Sequence, residues 1–268
     1  YLSLKGRSLT SKIVFSISAL LLLSAFSEHT LLRYYDHNWD RVAGQKASGY
    51  LNQAIQAFSG VQRETRRVGT EVAGHPAVLS SLTDPSQDRS EVFEFVSRVA
   101  HEQQVGIEVY DSQAHLICWD GASEPSHPRA IAAALAGKLT SFVTHAQVFS
   151  QLFVALPVWS QGKILGAVLV RQTTEINYPL NNKLVMSTGL AEGLSRELGV
   201  RVEYDFSFNA SLRKDGRYAS AILVGIDSSE VGVVSVAHPS RTAFLESVSG
   251  SFHMFNSALW LLLVGVVC

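Results

Sequence analysis

Residues 106–121 read GIEVYDSQAHLICWDG, and this stretch decides the architecture. Ile107, Val109 and Tyr110 precede Asp111-Ser112-Gln113-Ala114, and Leu116, Ile117, Cys118 and Trp119 follow it. β-Branched and aromatic residues on both sides of a cluster of turn formers predict two strands joined by a tight turn. Before this hairpin, Ser90 to Gln103 predicts an amphipathic helix with Val92, Phe93, Phe95, Val96 and Val99 on its apolar side. After it, a Pro- and Ser-rich loop (Ser123 to Pro128) leads to a helix over Arg129 to Gly137. Three strands follow, Ser141 to Gln147, Ser150 to Trp159 and Lys163 to Gln172, the last two joined by a turn at Ser160-Gln161-Gly162. Hairpins with helices between them make an α+β unit; a doubly wound sheet would alternate single strands with helices.

Toward the N-terminus, Leu79 to Leu82 predicts a short helical turn and residues 83–88 a polar loop. Leu51, Ala54, Phe58, Val61, Thr65, Val68 and Val72 recur at alternating spacings of three and four, a heptad seam with Gln, Arg and Glu on the other faces. This helix is expected to start near Leu31 and to stop before Gly74-His75-Pro76. At ~1.5 Å per residue it would make a rod of roughly 60 Å. The seam can pack on its own globular domain or on a second copy of the chain. A mixture is expected, with homodimer contact near the membrane and domain packing further out.

Ile13 to Phe26 carries no charge and follows Lys5, Arg7 and Lys12. Extended from Leu9 to Leu32, the segment reaches the ~20 residues that span a bilayer. The basic flank places the N-terminus inside. The rival reading, a cleaved signal peptide, lacks a clean small-x-small cleavage site. At the other end, Ala258 to Cys268 is apolar on every side, and Phe255 and Trp260 suit a membrane interface, so a second span is expected from Phe252 onward. The chain starts at Tyr1 and ends inside this run, so an output part is expected beyond residue 268.

Between the hairpins and that span, Leu184 to Leu198 predicts a helix stopped by Gly199. Strands are predicted at Val200 to Asp205, Tyr218 to Ile226 and Val231 to Ala237, with a turn at Lys214-Asp215-Gly216. Pro239 and Ser240 then precede the helix that enters the second span.

The formal net charge is −1, which leaves no electrostatic case for nucleic acid. Two cysteines, Cys118 and Cys268, are too few for a disulfide framework, and Cys118 reads as a small buried hydrophobe. The nine histidines show no zinc-type spacing, and no nucleophile elbow, P-loop or dinucleotide fingerprint occurs. No catalytic residue, metal or cofactor is therefore expected in this segment. Asp111 and Asp120 sit at strand ends, where turns use Asp for local hydrogen bonds. Tyr110 and Trp119 could line a concave site of mixed character, and Phe149, Phe153 and His145 complete that set. Alternation puts Tyr110 on the Glu108 face and Trp119 on the Ile117 face. The plainer role for these rings is the rim of the core.

The long helix, then GIEVYD…HLICWDG, then VALPVWSQGKILGAVLVRQ (residues 154–172) resembles the Cache-type sensor domains, PAS-like sheets that lie outside the cytoplasmic membrane. The resemblance covers about residues 31–250 and is strongest over 106–172. It implies an α+β fold: a long N-terminal helix packed on a PAS-like antiparallel sheet, a smaller membrane-proximal α/β lobe, and two flanking transmembrane helices. It further implies a homodimeric receptor of the bacterial inner (cytoplasmic) membrane, with residues 31–250 extracytoplasmic. In such receptors a small-molecule ligand or a periplasmic protein shifts the second membrane helix, here through His238 to Ser257. The output is most often a histidine kinase, otherwise a chemotaxis transducer, a diguanylate cyclase or a phosphatase. A membrane-anchored binding module without output is the rival reading. The division expected is 1–30 (flank and first span), 31–76 (heptad helix), 77–178 (membrane-distal lobe), 179–240 (smaller lobe) and 241–268 (signalling helix and second span).

Members that bind amino acids or amines carry an Arg-x-Trp-Tyr cluster and an Asp at the end of the strand after the last hairpin. This sequence has neither, and Arg171 stands near the Asp position. An arginine there argues against an amine and suits a carboxylate or phosphate, which it can grip with two parallel hydrogen bonds. The plainer alternative is a strand-end arginine facing water. The candidate ligand set is thus Tyr110, Trp119, His145, Phe153 and Arg171.

Overall fold

The N-terminal apolar run and the heptad stretch form two helices in succession, α1 (Leu2–His37) and α2 (Trp39–Gly74). Pro76 then sits in the first turn of α3 (Pro76–Thr83), where its missing N–H costs nothing, and His75 caps the helix by accepting from the Ala77 amide at 3.3 Å. α4 (Ser90–Gln103) has the predicted bounds and stops where Gln104 turns left-handed. The hairpin follows as β1 (Gly106–Asp111) and β2 (Leu116–Asp120). Asp111 closes its turn by accepting from the amides of Gln113 and His115 at 2.8 and 2.9 Å. Then come α5 (Pro128–Leu135), β3 (Thr140–His145), β4 (Phe149–Ser160) and β5 (Lys163–Ile176). Gln161 and Gly162, both at positive φ, make the tight β4–β5 turn. The chain continues through β6 (Thr188–Gly189), α6 (Leu190–Leu198), β7 (Val202–Asp205), β8 (Tyr218–Val224), β9 (Glu230–Ala237) and α7 (Arg241–Val267).

This computed structural model describes residues 2–267 apart from 85, 87, 122–126, 147, 177–187, 208 and 214–215. Most of the predicted Ser123–Pro128 loop, Gln147 at the end of a predicted strand, the helix start predicted at Leu184 and the Lys214-Asp215 turn lie outside the described residues.

Two compact units result, one from residues 1–48 with 238–268 and one from 49–237. In the first, α1 and α7 run antiparallel, with Ser249 donating to the Glu28 carboxylate at 2.8 Å and Arg241 paired with Asp36. Phe244 meets Tyr35 and Trp39 at centroid distances of 5.2 and 5.6 Å. Ser11–His37 and Arg241–Gly265 are long and apolar enough to cross a membrane. Both expected spans therefore have a helix to occupy.

In the second unit the main sheet is antiparallel throughout, in the order β2-β1-β5-β4-β3, with β6 added to β5. A smaller antiparallel sheet has the order β7-β9-β8. The α+β class and the helix-then-strands order are those read from the sequence. Alternation divides the main sheet. Ile107, Val109, Cys118, Val168 and Val170 point to α2, α3 and α4, while Tyr110, Phe153, Ala155, Ala167 and Leu169 point to α5. Cys118 is fully buried, as its sequence context indicated.

The heptad seam is used within the chain. Val68 and Val72 pack with α4 and the strands of the main sheet, while Ala54 and Phe58 pack with β4 and with Val202, Leu223, Val234 and Val236 of the small sheet. Burying a side chain such as Phe58 is worth roughly 2–3 kcal/mol. Thr65, a polar residue in that seam, is fully buried and donates to Gln172 Oε1 at 2.8 Å. Over residues 54–72 the seam thus holds the domain together, and a homodimer would have to use another face.

Candidate ligand site

The register of β1 on β5 places Gly106 opposite Arg171, Glu108 opposite Leu169 and Tyr110 opposite Ala167. On the other side of β5, Phe153 of β4 stands opposite Arg171. Because directly paired residues share a face, Glu108, Tyr110, Phe153 and Arg171 all lie under α5. Phe142 of β3 continues the row, stacked on Phe153 at 5.0 Å, and the His127 ring at the start of α5 sits 4.5 Å from Phe153.

Arg171 is 5% exposed, so the water-facing reading is overturned. The reason is local: two glycines make room for its guanidinium. A Cβ on Gly106 would run into the guanidinium, and one on Gly121 would reach its Nη2 at 2.9 Å. Gly121 also sits at φ +93°, a conformation that side chains rarely adopt. Arg171 Nη1 is buried without a hydrogen-bond partner, and the arginine forms no ion pair among the described residues. A buried charge without a partner costs several kcal/mol, roughly, in effective terms.

Glu108, 6% exposed, is the second charge on this face. It accepts a hydrogen bond from the Tyr110 hydroxyl at 2.5 Å. Burial, and then that bond to a carboxylate, raise the Tyr110 phenol well above its usual range, so it stays a proton donor. The face thus offers an aromatic floor, one carboxylate already engaged by a tyrosine, and one guanidinium with an unused N–H. Such an N–H can grip a carboxylate or phosphate.

Of the residues expected from sequence, the structure gathers Tyr110, Phe153 and Arg171. Trp119 is 47% exposed on the edge strand β2, where it meets Phe93 edge-on at 6.0 Å. His145 is exposed at the end of β3, its Nδ1 2.9 Å from Ser150 Oγ. Neither joins the buried cluster. Glu108, Phe142 and the two glycines were not singled out, although alternation had already put Glu108 on the Tyr110 face.

No family model matches the sequence, and no curated protein does. Among solved structures, the sensor domain of the Vibrio cholerae histidine kinase DctB superposes with a TM-score of 0.51 at 10% identity, covering 76% of this chain and 99% of that one. The fold is that of a sensor domain. The extracellular domain of vpHK1S-Z8, described as a histidine kinase, agrees, with a TM-score of 0.50 at 11% identity over 80% of this chain and 98% of that one. What the sensor domains share with this chain is the fold, over nearly their whole length. The Arg171 cluster lies in that fold on the α5 side of the main sheet.

Proposed function

We propose that the chain is the extracytoplasmic sensing part of a membrane signalling receptor, and that its output is a histidine kinase. The observation that carries this reading is a sensor fold flanked in the sequence by two helices apolar enough to span a bilayer. β9 of the small sheet ends at Ala237 and the second of those helices begins at Arg241, so the sheet leads almost directly into it. The two solved domains compared above are described as parts of histidine kinases, which supports that output. The five-part division read from the sequence, the homodimer and the bacterial inner membrane belong to the same proposal.

The ligand in this reading is a small anion bearing a carboxylate or phosphate, held on Arg171 with the Phe142–Phe153 stack as an apolar wall. Such an anion would supply the partner that Arg171 Nη1 lacks among the described residues. Binding transmits a signal only if the ligand prefers one of two arrangements of the domain. A second reading, a periplasmic protein as the partner, draws on the half-exposed Trp119 of the free edge strand β2 and the half-exposed Phe93 of α4 beside it. Topology tests the receptor reading. An alkaline phosphatase fusion after Ala237 is expected to be active, and one after Lys12 inactive. The reverse pattern, or an inactive fusion at Ala237, would overturn it.

A further inference from the structure

The first turn of α6 is held to β5 of the main sheet by an acid that the ligand reading leaves unused. Glu175 lies near the end of β5, opposite Ser150 of β4 on one side and Gly189 of β6 on the other. Gly189 occupies the N-cap position of α6 and has no side chain with which to cap it. Glu175 does so instead, its Oε1 accepting from the Ala191 amide at 2.8 Å. A Cβ on Gly189 would collide with the other carboxyl oxygen, so the approach is close. Glu175 is 8% exposed, and beside it opens a polar cleft of about 680 Å³.

We propose that Glu175 is a proton-operated joint: its carboxyl docks the first turn of α6 onto β5, and proton uptake favours the docked arrangement. The charges around it are committed elsewhere. On α6, Glu192 pairs with Arg196 at 3.4 Å. On β7 and the residue just before it, Glu203 takes Arg201 at 2.5 Å and also Arg213. Tyr204 of β7 donates to the Ala54 carbonyl at 2.8 Å. On β3, His145 reaches the row only through Ser150, and the nearby face of α2 presents Ala57 and Val61. No cation pairs with Glu175 among the described residues.

Burial, with the charge of Glu192 adding to it against the pull of the Ala191 amide, raises Glu175 from 4.5 to about 7. Undocked and solvated, the same carboxyl returns toward 4.5. The docked form therefore holds a proton that the undocked form lacks between those two values. Docking is fully favoured below the lower value and is lost as pH rises through the upper one. The docked-to-undocked ratio falls by on the order of a hundredfold across that window.

Hydrogen exchange on the whole chain in phospholipid nanodiscs tests this, with rates corrected for intrinsic base catalysis. Protection of α6 and β7 amides should drop at least tenfold between pH 5.5 and 8.5, with a midpoint near 7, while β1 and β4 stay unchanged. Glu175→Gln keeps an acceptor for Ala191 and should flatten the profile; His145→Gln should leave the drop in place. Glu192→Gln removes the neighbouring negative charge and should lower the midpoint. A flat wild-type profile, or a drop that survives Glu175→Gln, would overturn the proposal, and so would a midpoint that Glu192→Gln leaves unmoved.

Discussion

Exchanging the two buried charges under α5 for neutral side chains of similar length separates a ligand anchor from a structural prop. Arg171→Met keeps an unbranched chain that fits between Gly106 and Gly121, and it removes a guanidinium whose Nη1 has no partner. Restoring water to such a charge on unfolding is worth several kcal/mol, roughly, so its removal favours the folded state. Against that, the single change leaves Glu108 buried with only the Tyr110 hydroxyl to balance it. Glu108 and Arg171 are diagonal neighbours across β1 and β5, and charges roughly 7 Å apart at an effective dielectric near 20 attract by about 2 kcal/mol, so the two effects nearly offset. Arg171→Met alone should therefore lie within about 1 kcal/mol of the wild type. Arg171→Met with Glu108→Gln removes both charges, and replacement of buried ions by neutral groups is often stabilising by about 1–4 kcal/mol. Denaturant unfolding of the chain in detergent, followed by tryptophan fluorescence, reads these differences directly. A loss of more than about 2 kcal/mol in the double variant would mean that Arg171 holds the β1–β2 hairpin in place. That result would refute the reasoning behind the anion site.

Gly106→Ala puts a methyl group into the guanidinium and should cost about 1–3 kcal/mol while displacing Arg171, a change that chemical shifts of its neighbours would report. Tyr110→Phe deprives the Glu108 carboxylate of its donor inside the domain and should cost about 1–3 kcal/mol in the same unfolding assay. Phe58→Ala should cost about 3–5 kcal/mol, because Phe58 is buried where α2 meets β4 and the small sheet together. Through Glu175 alone, stability should fall by about 3 kcal/mol as pH rises from 4.5 past 7, and Glu175→Gln should remove that slope.

Much of the fold was legible because local patterns and tertiary packing agree. Ser90 to Gln103 shows one apolar helical face and ends at a residue that turns left-handed, so α4 has the predicted bounds. The strands around Asp111 and Gly162 were legible from turn chemistry that the structure uses. β5 runs on to Ile176, past the predicted Gln172, because Thr173, Thr174 and Glu175 are polar and the pairing that buries two of them comes from β4 and β6. A heptad repeat has the same spacing whether its partner is the chain's own sheet or a second copy, so the use of the seam was not decidable. The burial of Arg171 was hidden for a related reason. Strand ends usually face water, and the space for this one comes from Gly106 and Gly121, at the two ends of the hairpin and far away in sequence. Glu108 was legible as a neighbour of Tyr110, but its burial depends on α5 covering that face.

Titration calorimetry of the chain in nanodiscs with a panel of small dicarboxylates, inorganic phosphate and simple amines tests the central claim most directly, with Arg171→Met alongside. The account predicts that at least one carboxylate or phosphate binds the wild type and that Arg171→Met abolishes it. Binding of amines alone, or anion binding that Arg171→Met leaves intact, would contradict it.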